Sequence, residues 1–591
     1  MRMSIFLPLI DALTSLPQTP EDFCWPSVST WNSFNTTVGG RLIKSVPPAI
    51  SCYPGPAQDL TKCAKLVTDL TNSTVVGNDP IALDYNSLDK CPPVNFAAGE
   101  KAGTCELEDV PLYTVDARTP SDVQKTVDFA RTRGIRLVIR NTGHDLSGRS
   151  TGGASLQVWI RYMKNGLTFS AKNPSTCTKG AYWSGATFTV AGGYVWGEAY
   201  KAAAEKGHIV VGGGDPTVGI IGGWMQGGGH SPANYDFGLG ADQVVEAQVV
   251  LASGKLVTAN ACQNQDVFWA IRGGGPSTYG AVVSTTIKAH PTAPYTAHKF
   301  ALAPLAGTDL ATFREAVAIL YESQTELVDA GWNGYGNWNQ ASYQPVVASY
   351  FSGYNHALAA RDQTEAQMKA TWAKVEAKLA PIADKLYISS KFYTYKTFVE
   401  YYDAQAVGQQ AVGSRGGSSV GSWTLDEGAL ANSTGVRNMV NIIAGKQYDF
   451  SILNFWLGGG KKSQVAKDVA DPYSGVNPAW REAVSLNIVA RGWAAGTAEA
   501  TQKATQDDVT FNYVGSMKDM NPNGGAYMNE GDYRSPTHMA DFYGKNLNKL
   551  SLVKIARDPL GVFYCPTCVG SDNWYEDDEG RLCLDFGIYD Y

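Results

Sequence analysis

Residues 112–150 read LYTVDARTPSDVQKTVDFARTRGIRLVIRNTGHDLSGRS. LYTVDA (112–117) has the apolar, β-branched character of a strand. Thr119-Pro120-Ser121-Asp122 then opens a helix, with a capping hydroxyl followed by proline at the first helical position, where its missing N–H costs nothing. Val123, Val127 and Ala130 give that helix an apolar stripe, and Gly134 ends it. GIRLVIR (134–140) is a second strand, RNTGHDLSGRS is the loop that leaves it, and SLQVWI (155–160) is a third strand. The unit is strand–helix–strand, and it delivers His144, one of seven histidines, into a loop of glycines and small polar residues.

A similar cycle follows. FTVAGG (188–193) is strand-like, Trp196 to Lys206 is helical, and HIVV (208–211) is a strand. Then comes GGGDPTVGIIGGWMQGGGHSPANYDFG (212–238), in which nine of the first eighteen residues are glycine. VVEAQVVLASGKLVTA (244–259) reads as a hairpin turning at Ser253-Gly254. Beyond residue 295 helical stretches at 308–324 and 356–380 alternate with aromatic-rich strands such as SYQPVVASYF (342–351) and YDFSILNFWL (448–457). Their alternation predicts an antiparallel sheet with one face on helices.

A chain of 591 residues is too long for one core, so two to three domains are expected. With 44% hydrophobic and 17% charged residues it is a folded protein, and its formal net charge of −7 argues against nucleic acid or an anionic membrane as partner. No run of 18 apolar residues occurs. The ten cysteines cluster towards the ends, which reads as disulfide stapling, and Cys565-Pro-Thr-Cys568 reads as a structural disulfide, with a redox or zinc half-site as the alternative. Sequons at Asn35, Asn72 and Asn432 add N-glycans to the expectation, and with the cysteines they predict a secreted protein. Residues 1–20 carry a short apolar stretch at the lower limit for a signal segment.

Glycine loops turn backbone N–H groups onto anions. Two such loops, with RGGGP at 272–276, point to a dinucleotide pyrophosphate. They do not fit a Rossmann site, since neither loop passes from a strand into an evident helix. GxxxxGK[ST] is absent, and no second His or Cys stands at metal-ligand spacing from His144.

The ordered series RNTGHDLSGRS, AGGYVWGEAY (191–200), DPTVGIIGGWMQGGGHSPANYDFGLGADQVVEAQVVLASGK (215–255), DVFWAIRGGGPSTYGAVVSTTIK (266–288), GGAYMNEGD (524–532), FYGKNLNKL and DPLGVF resembles the vanillyl alcohol oxidase superfamily, with its PCMH-type FAD-binding domain, in the berberine-bridge-enzyme-like branch. The opening CWPSVSTWNSFNTTVGGRLIKSVPP resembles secreted fungal members of the isoamyl-alcohol-oxidase type. The resemblance implies an α+β protein. It would have a Cys-rich extension (21–107), an FAD-binding domain of α/β subdomains (108–294), a substrate domain with an antiparallel sheet covered by helices (295–540), and a C-terminal segment (541–591) returning to the FAD domain.

It also implies FAD joined covalently to His144, with Arg140, Asn141, Thr142, Gly143, Asp145, Ser147 and Gly148 around the pyrophosphate. Gly219, Gly223, Gly228, Gly229, His230 and Ser231 would line the flavin, Val245 and Val283 would lie on the adenosine side, and Asn529 would approach from the substrate domain. Many relatives carry a second flavin link through the cysteine of a C-P-T-V-G motif. Here Asp215 replaces it, so one covalent link is expected, with Asp215 still near the flavin, and Val218 at the position that borders oxygen access. The implied chemistry is hydride transfer from an alcohol, a sugar or a secondary metabolite to flavin N5, with O2 returning the flavin to its oxidised form and yielding H2O2. Ring- or double-bond-forming biosynthesis is the alternative, with a non-catalytic binding protein behind it. The base is sought in KFYTYKTFVEYYD, where Glu400 and Tyr402 are the candidates, and the protein is expected to act as a monomer.

Overall fold

A computed structural model of the chain describes residues 25–70, 72–82, 90–107, 110–178, 183–344, 349–405, 416–445, 451–494, 496–576 and 582–584. The expected signal segment 1–20 and Cys24 lie outside them. Helix Pro120–Arg133 begins in the expected way: Thr119 and Asp122 form a reciprocal capping box, Pro120 sits in the first turn, and Gly134 closes the helix at φ 58°. Its buried Val123, Val127 and Ala130 lie against a four-stranded sheet ordered Leu42–Lys44, Tyr113–Asp116, Leu156–Trp159, Leu137–Arg140. The last three strands are parallel neighbours, so the loop leaving Arg140 emerges at the carboxyl end of the sheet.

The N-terminal extension supplies the remaining strand, which pairs antiparallel with Tyr113–Asp116. It is held to the lobe by aromatic packing of Trp31 on Tyr113 at 4.2 Å and of Phe34 on Phe129 at 3.9 Å, and is stapled internally by disulfides Cys52–Cys63 and Cys91–Cys105. Cys177–Cys262 and Cys565–Cys568 are also bonded, so the CxxC is a disulfide, as its reading favoured. Two of the three sequon asparagines, Asn72 and Asn432, cap helix starts. Asn72 and Asn432 are exposed and accept from the N–H groups of Thr74 and Gly435, whereas Asn35 is half-buried and accepts from Leu42 N–H.

A five-stranded antiparallel sheet, ordered Leu167–Ser170, Thr187–Ala191, Ala281–Lys288, Val244–Val250, Leu256–Ala259, completes this lobe. The expected hairpin is its edge. The other lobe is a seven-stranded antiparallel sheet, ordered Leu386–Tyr395, Tyr295–Pro304, Ser349–Arg361, Asn333–Gln344, Ser451–Leu457, Ala483–Ala494, Gly416–Asp426. Helices Leu310–Glu322, Glu365–Leu379 and Ser433–Ile443 pack together beside it and bury an almost wholly apolar face. The stretch expected as one strand over 342–351 falls across two strands, with 345–348 outside the described residues.

Two buried ion pairs bind the lobes together. Arg481 meets Asp242 through two bonds of 2.7 and 2.8 Å, and Arg272 meets Asp471 at 2.6 Å. Burial pushes the Asp242 carboxyl up, but the adjoining Arg481 outweighs burial and holds it down to about 2. From the C-terminal segment, helix Leu547–Arg557 lies on the first lobe, with Lys554 donating to Thr278 O at 3.0 Å and Arg557 paired with Asp266 at 2.7 Å. No helix among the described residues is long and apolar enough to cross a membrane.

Candidate functional site

The loop after strand Leu137–Arg140 is shaped by its own side chains. Asp145 accepts from Ser147 N–H at 3.1 Å, from Arg149 N–H, and from Arg149 Nε at 2.8 Å, so the Ser147 amide is already taken within the loop. Gly143 adopts φ 85°, and a Cβ there would sit 2.7 Å from the Arg140 guanidinium, so glycine is required on both counts. The Arg140 side chain takes a structural part. Its buried guanidinium lies between the loop and the N-terminal extension, donating to Ala82 O and, at 3.4 Å, to Val76 O of the extension and Thr142 O of the loop, and so straps the extension to the sheet. Thr142 is buried against Gly77 of that extension. Gly148 turns at φ 74°, with open space where a Cβ would point.

The second loop meets the first at His144. Thr217 Oγ1 lies 2.5 Å from His144 Nε2, and the same hydroxyl lies 2.7 Å from Asp215 Oδ1, which also accepts from Thr217 N–H at 2.7 Å. Gly219 is forced to be glycine, because the Asn141 side chain fills the place of its Cβ. Asn141 Nδ2 donates to Gly192 O at 2.7 Å, and Val218 O accepts from Trp196 N–H at 3.1 Å. Gly219, the first of the glycines expected to line the flavin, therefore packs on the loop that carries His144.

A third segment comes from the far end of the chain. Asn529 Nδ2 donates to Gly223 O at 2.8 Å, while its Oδ1 accepts from Arg149 Nη2 at 2.8 Å. One side chain thus ties both glycine loops to residues 527–530. Arg149 Nη1 and Asn141 Oδ1 are buried with no hydrogen-bond partner among the described residues. A buried guanidinium N–H left open is expensive unless an acceptor meets it. An anionic, carbonyl-bearing cofactor beside these loops would supply such an acceptor, so the residues present fit FAD.

His230 is built into the seam between the lobes. Its Nδ1 lies 2.8 Å from Tyr335 Oη, on strand Asn333–Gln344, and its Nε2 lies 3.1 Å from Glu530 Oε2. Gly228 and Gly229, both at positive φ, carry the chain into this position, and Trp224 packs beneath Gly229. Ser231 is fully buried and its carbonyl accepts from Trp456 Nε1 at 2.9 Å. Tyr335 lies against Gly214, next to Asp215. Burial, then the Glu530 charge, push the Tyr335 phenol well above its ordinary 10.

The two base candidates are placed otherwise than expected. Glu400 is exposed and its carboxylate accepts from Lys396 N–H at 2.9 Å, so it caps the start of helix Phe398–Ala404. Tyr402 does reach the loops, donating to Gly214 O at 2.7 Å. Burial and the nearby Asp215 push its phenol far up, so it stays protonated rather than acting as a phenolate. Its neighbour Tyr401 stacks on Tyr295 in the core, and Tyr393 is exposed under Lys299. Val245 and Val283 sit at different levels of the five-stranded sheet. Val245 adjoins the partner of Ile287, whereas Val283 lies opposite the Gln248–Val249 step. Sequence reasoning missed Tyr335. Tyr335 carries no local signal, because only the strand pairing of the second lobe brings it to His230.

Residues 111–260 match the family model of an FAD binding domain, and residues 526–570 match that of berberine and berberine-like proteins. The FAD-linked oxidoreductase hmp9 of Hypomyces subiculosus is 37% identical over 568 residues, covering 95% of this chain and 90% of that protein. The chain belongs to the berberine-bridge-enzyme-like branch of the vanillyl alcohol oxidase superfamily. As an FAD-linked oxidoreductase it takes FAD as cofactor. The crystal structure of the VAO-type flavoprotein MtVAO713 from Myceliophthora thermophila C1 superimposes with a TM-score of 0.92 at 39% identity, covering 97% of this chain and 100% of that one. The bifunctional decalin synthase calF of Penicillium decumbens is 29% identical over 579 residues, 96% of this chain and 95% of that enzyme.

Proposed function

We propose that this FAD-linked oxidoreductase is a secreted oxidase whose flavin hangs on one covalent bond, to His144. It oxidises a CH–OH group of an alcohol, a sugar or a secondary metabolite and releases H2O2 from O2. The observation that supports this reading is the joining of three segments, 140–149, 215–231 and 527–530, by the His144–Thr217 bond and by Asn529, which bridges Arg149 and Gly223 beside the open Arg149 Nη1. Four disulfides support an oxidising compartment. With Asp215 where relatives hold a second linking cysteine, His144 is the single tether.

FAD supplies the two-electron chemistry when bound. The chain must seat the reacting carbon and take the hydroxyl proton. Glu530–His230–Tyr335 is the group best arranged for that proton. With Nε2–H donated to Glu530, His230 Nδ1 accepts from the Tyr335 hydroxyl, whose oxygen keeps lone pairs for a substrate O–H. A buried tyrosinate beside Glu530 is disfavoured, so Tyr335 relays the proton and His230 receives it. A second reading, ring or double-bond formation in secondary metabolism, has behind it the full-length similarity to the decalin synthase. The test is peroxide release across alcohols, sugars and amines under air. Stoichiometric H2O2 from one class is expected, and flavin reduction with product formed but no peroxide would overturn the oxidase reading.

A further inference from the structure

We propose that Asp215, acting through Thr217, is a positioning residue that sets the tautomer of His144 for its bond to the flavin; this rests on the reading of His144 as the tether. A threonine hydroxyl has one proton, and a carboxylate only accepts. At 2.7 Å from Asp215 Oδ1 the Thr217 proton is committed to that oxygen, so towards His144, 2.5 Å away, Oγ1 is an acceptor. His144 Nε2 must therefore carry the imidazole proton, which leaves the lone pair on Nδ1. The order is Nε2–H, then Oγ1–H, then carboxylate, all within reach of the buried Thr217.

The chemistry has use for that order. Attachment at Nδ1 breaks one C–H bond of the flavin 8α-methyl group and the imidazole N–H bond, and forms one C–N bond. Two electrons and two protons pass to the ring system and from there to dioxygen, giving H2O2. While Nδ1 bonds to carbon, the imidazole becomes cationic, and its Nε2 proton must then leave. A carboxylate reached through one hydroxyl stabilises that charge and lies on the path of that proton. The aspartate that removes the second link from this chain thus serves the first.

The experiment uses the full-length secreted protein as wild type, His144→Ala, Asp215→Asn, Thr217→Val and Thr217→Ser. Each is purified, its total bound flavin measured, and the fraction remaining with the acid-precipitated protein read at once and during incubation with excess FAD. Wild type keeps its flavin in the pellet and His144→Ala releases it to the supernatant. A colourless wild-type pellet removes the tether reading itself. Asp215→Asn and Thr217→Val are expected to bind flavin yet to link it about ten-fold more slowly or worse, the scale of orienting-partner losses, while Thr217→Ser keeps the wild-type rate. Wild-type linkage in both Asp215→Asn and Thr217→Val overturns the proposal. So does equal loss in Thr217→Val and Thr217→Ser, which makes the effect one of shape. Should Asp215→Asn fail to fold, the Val and Ser pair decides alone.

Discussion

His144 and His230 stand on glycine-rich loops of the same lobe, and each is coupled to a carboxylate, yet their partners come from opposite distances. His144 is held by Thr217 and Asp215, which belong to the neighbouring loop of its own FAD-binding lobe. His230 is held by Tyr335 and Glu530, which the antiparallel sheet and the C-terminal return bring across the seam. A tether, the role proposed for His144, needs a fixed ring, and partners from its own lobe hold that ring. A proton acceptor must meet substrate where the lobes join, so its partners are drawn from both sides. The contrast predicts that damage on the two sides separates: attachment fails on one, turnover on the other.

The largest separation is expected at His230. His230→Ala and Glu530→Gln should lower turnover of whichever substrate releases peroxide by about 10²–10⁴-fold, the range of a lost general base, while flavin stays with the acid-precipitated protein. Flavin release from these variants, or unchanged turnover, would break the division of labour. Smaller effects are expected along KFYTYKTFVEYYD. Tyr402→Phe loses one hydrogen bond to the Gly214 carbonyl, about 1 kcal/mol and a few-fold in rate, read by thermal unfolding and steady-state kinetics. A thousand-fold loss would return Tyr402 to the chemistry. Glu400→Gln, at an exposed helix start, should change stability by no more than about 0.5 kcal/mol and leave turnover alone, and a pH profile that shifts on this substitution would contradict its capping role.

The sequence was most legible where chemistry and geometry are local. The capping box at Thr119, the stop at Gly134 and the loop that presents His144 all follow from residues a few positions apart. Family resemblance supplied the cofactor. The part taken by the Arg140 side chain was not legible, because a basic residue at the edge of a phosphate-type loop is indistinguishable, in text, from one whose guanidinium binds carbonyls of the extension. Glu400 likewise carries the acidic first-turn signature of a helix start, which is the role it takes. Tyr335 and Glu530 become partners of His230 only through strand register and a chain return spanning hundreds of residues, information that no local pattern holds. Asp215 stood out as a departure from a motif, but its bond to Thr217, and through it to His144, needed coordinates.

Peptide mapping by mass spectrometry of the protease-digested wild-type protein tests the central claim most directly. The account predicts one flavin-bearing peptide, the one that contains His144, and an unmodified peptide spanning Asp215 and Thr217. A flavin on any other residue, a second link joining the two peptides, or an unmodified His144 peptide in yellow protein would contradict it.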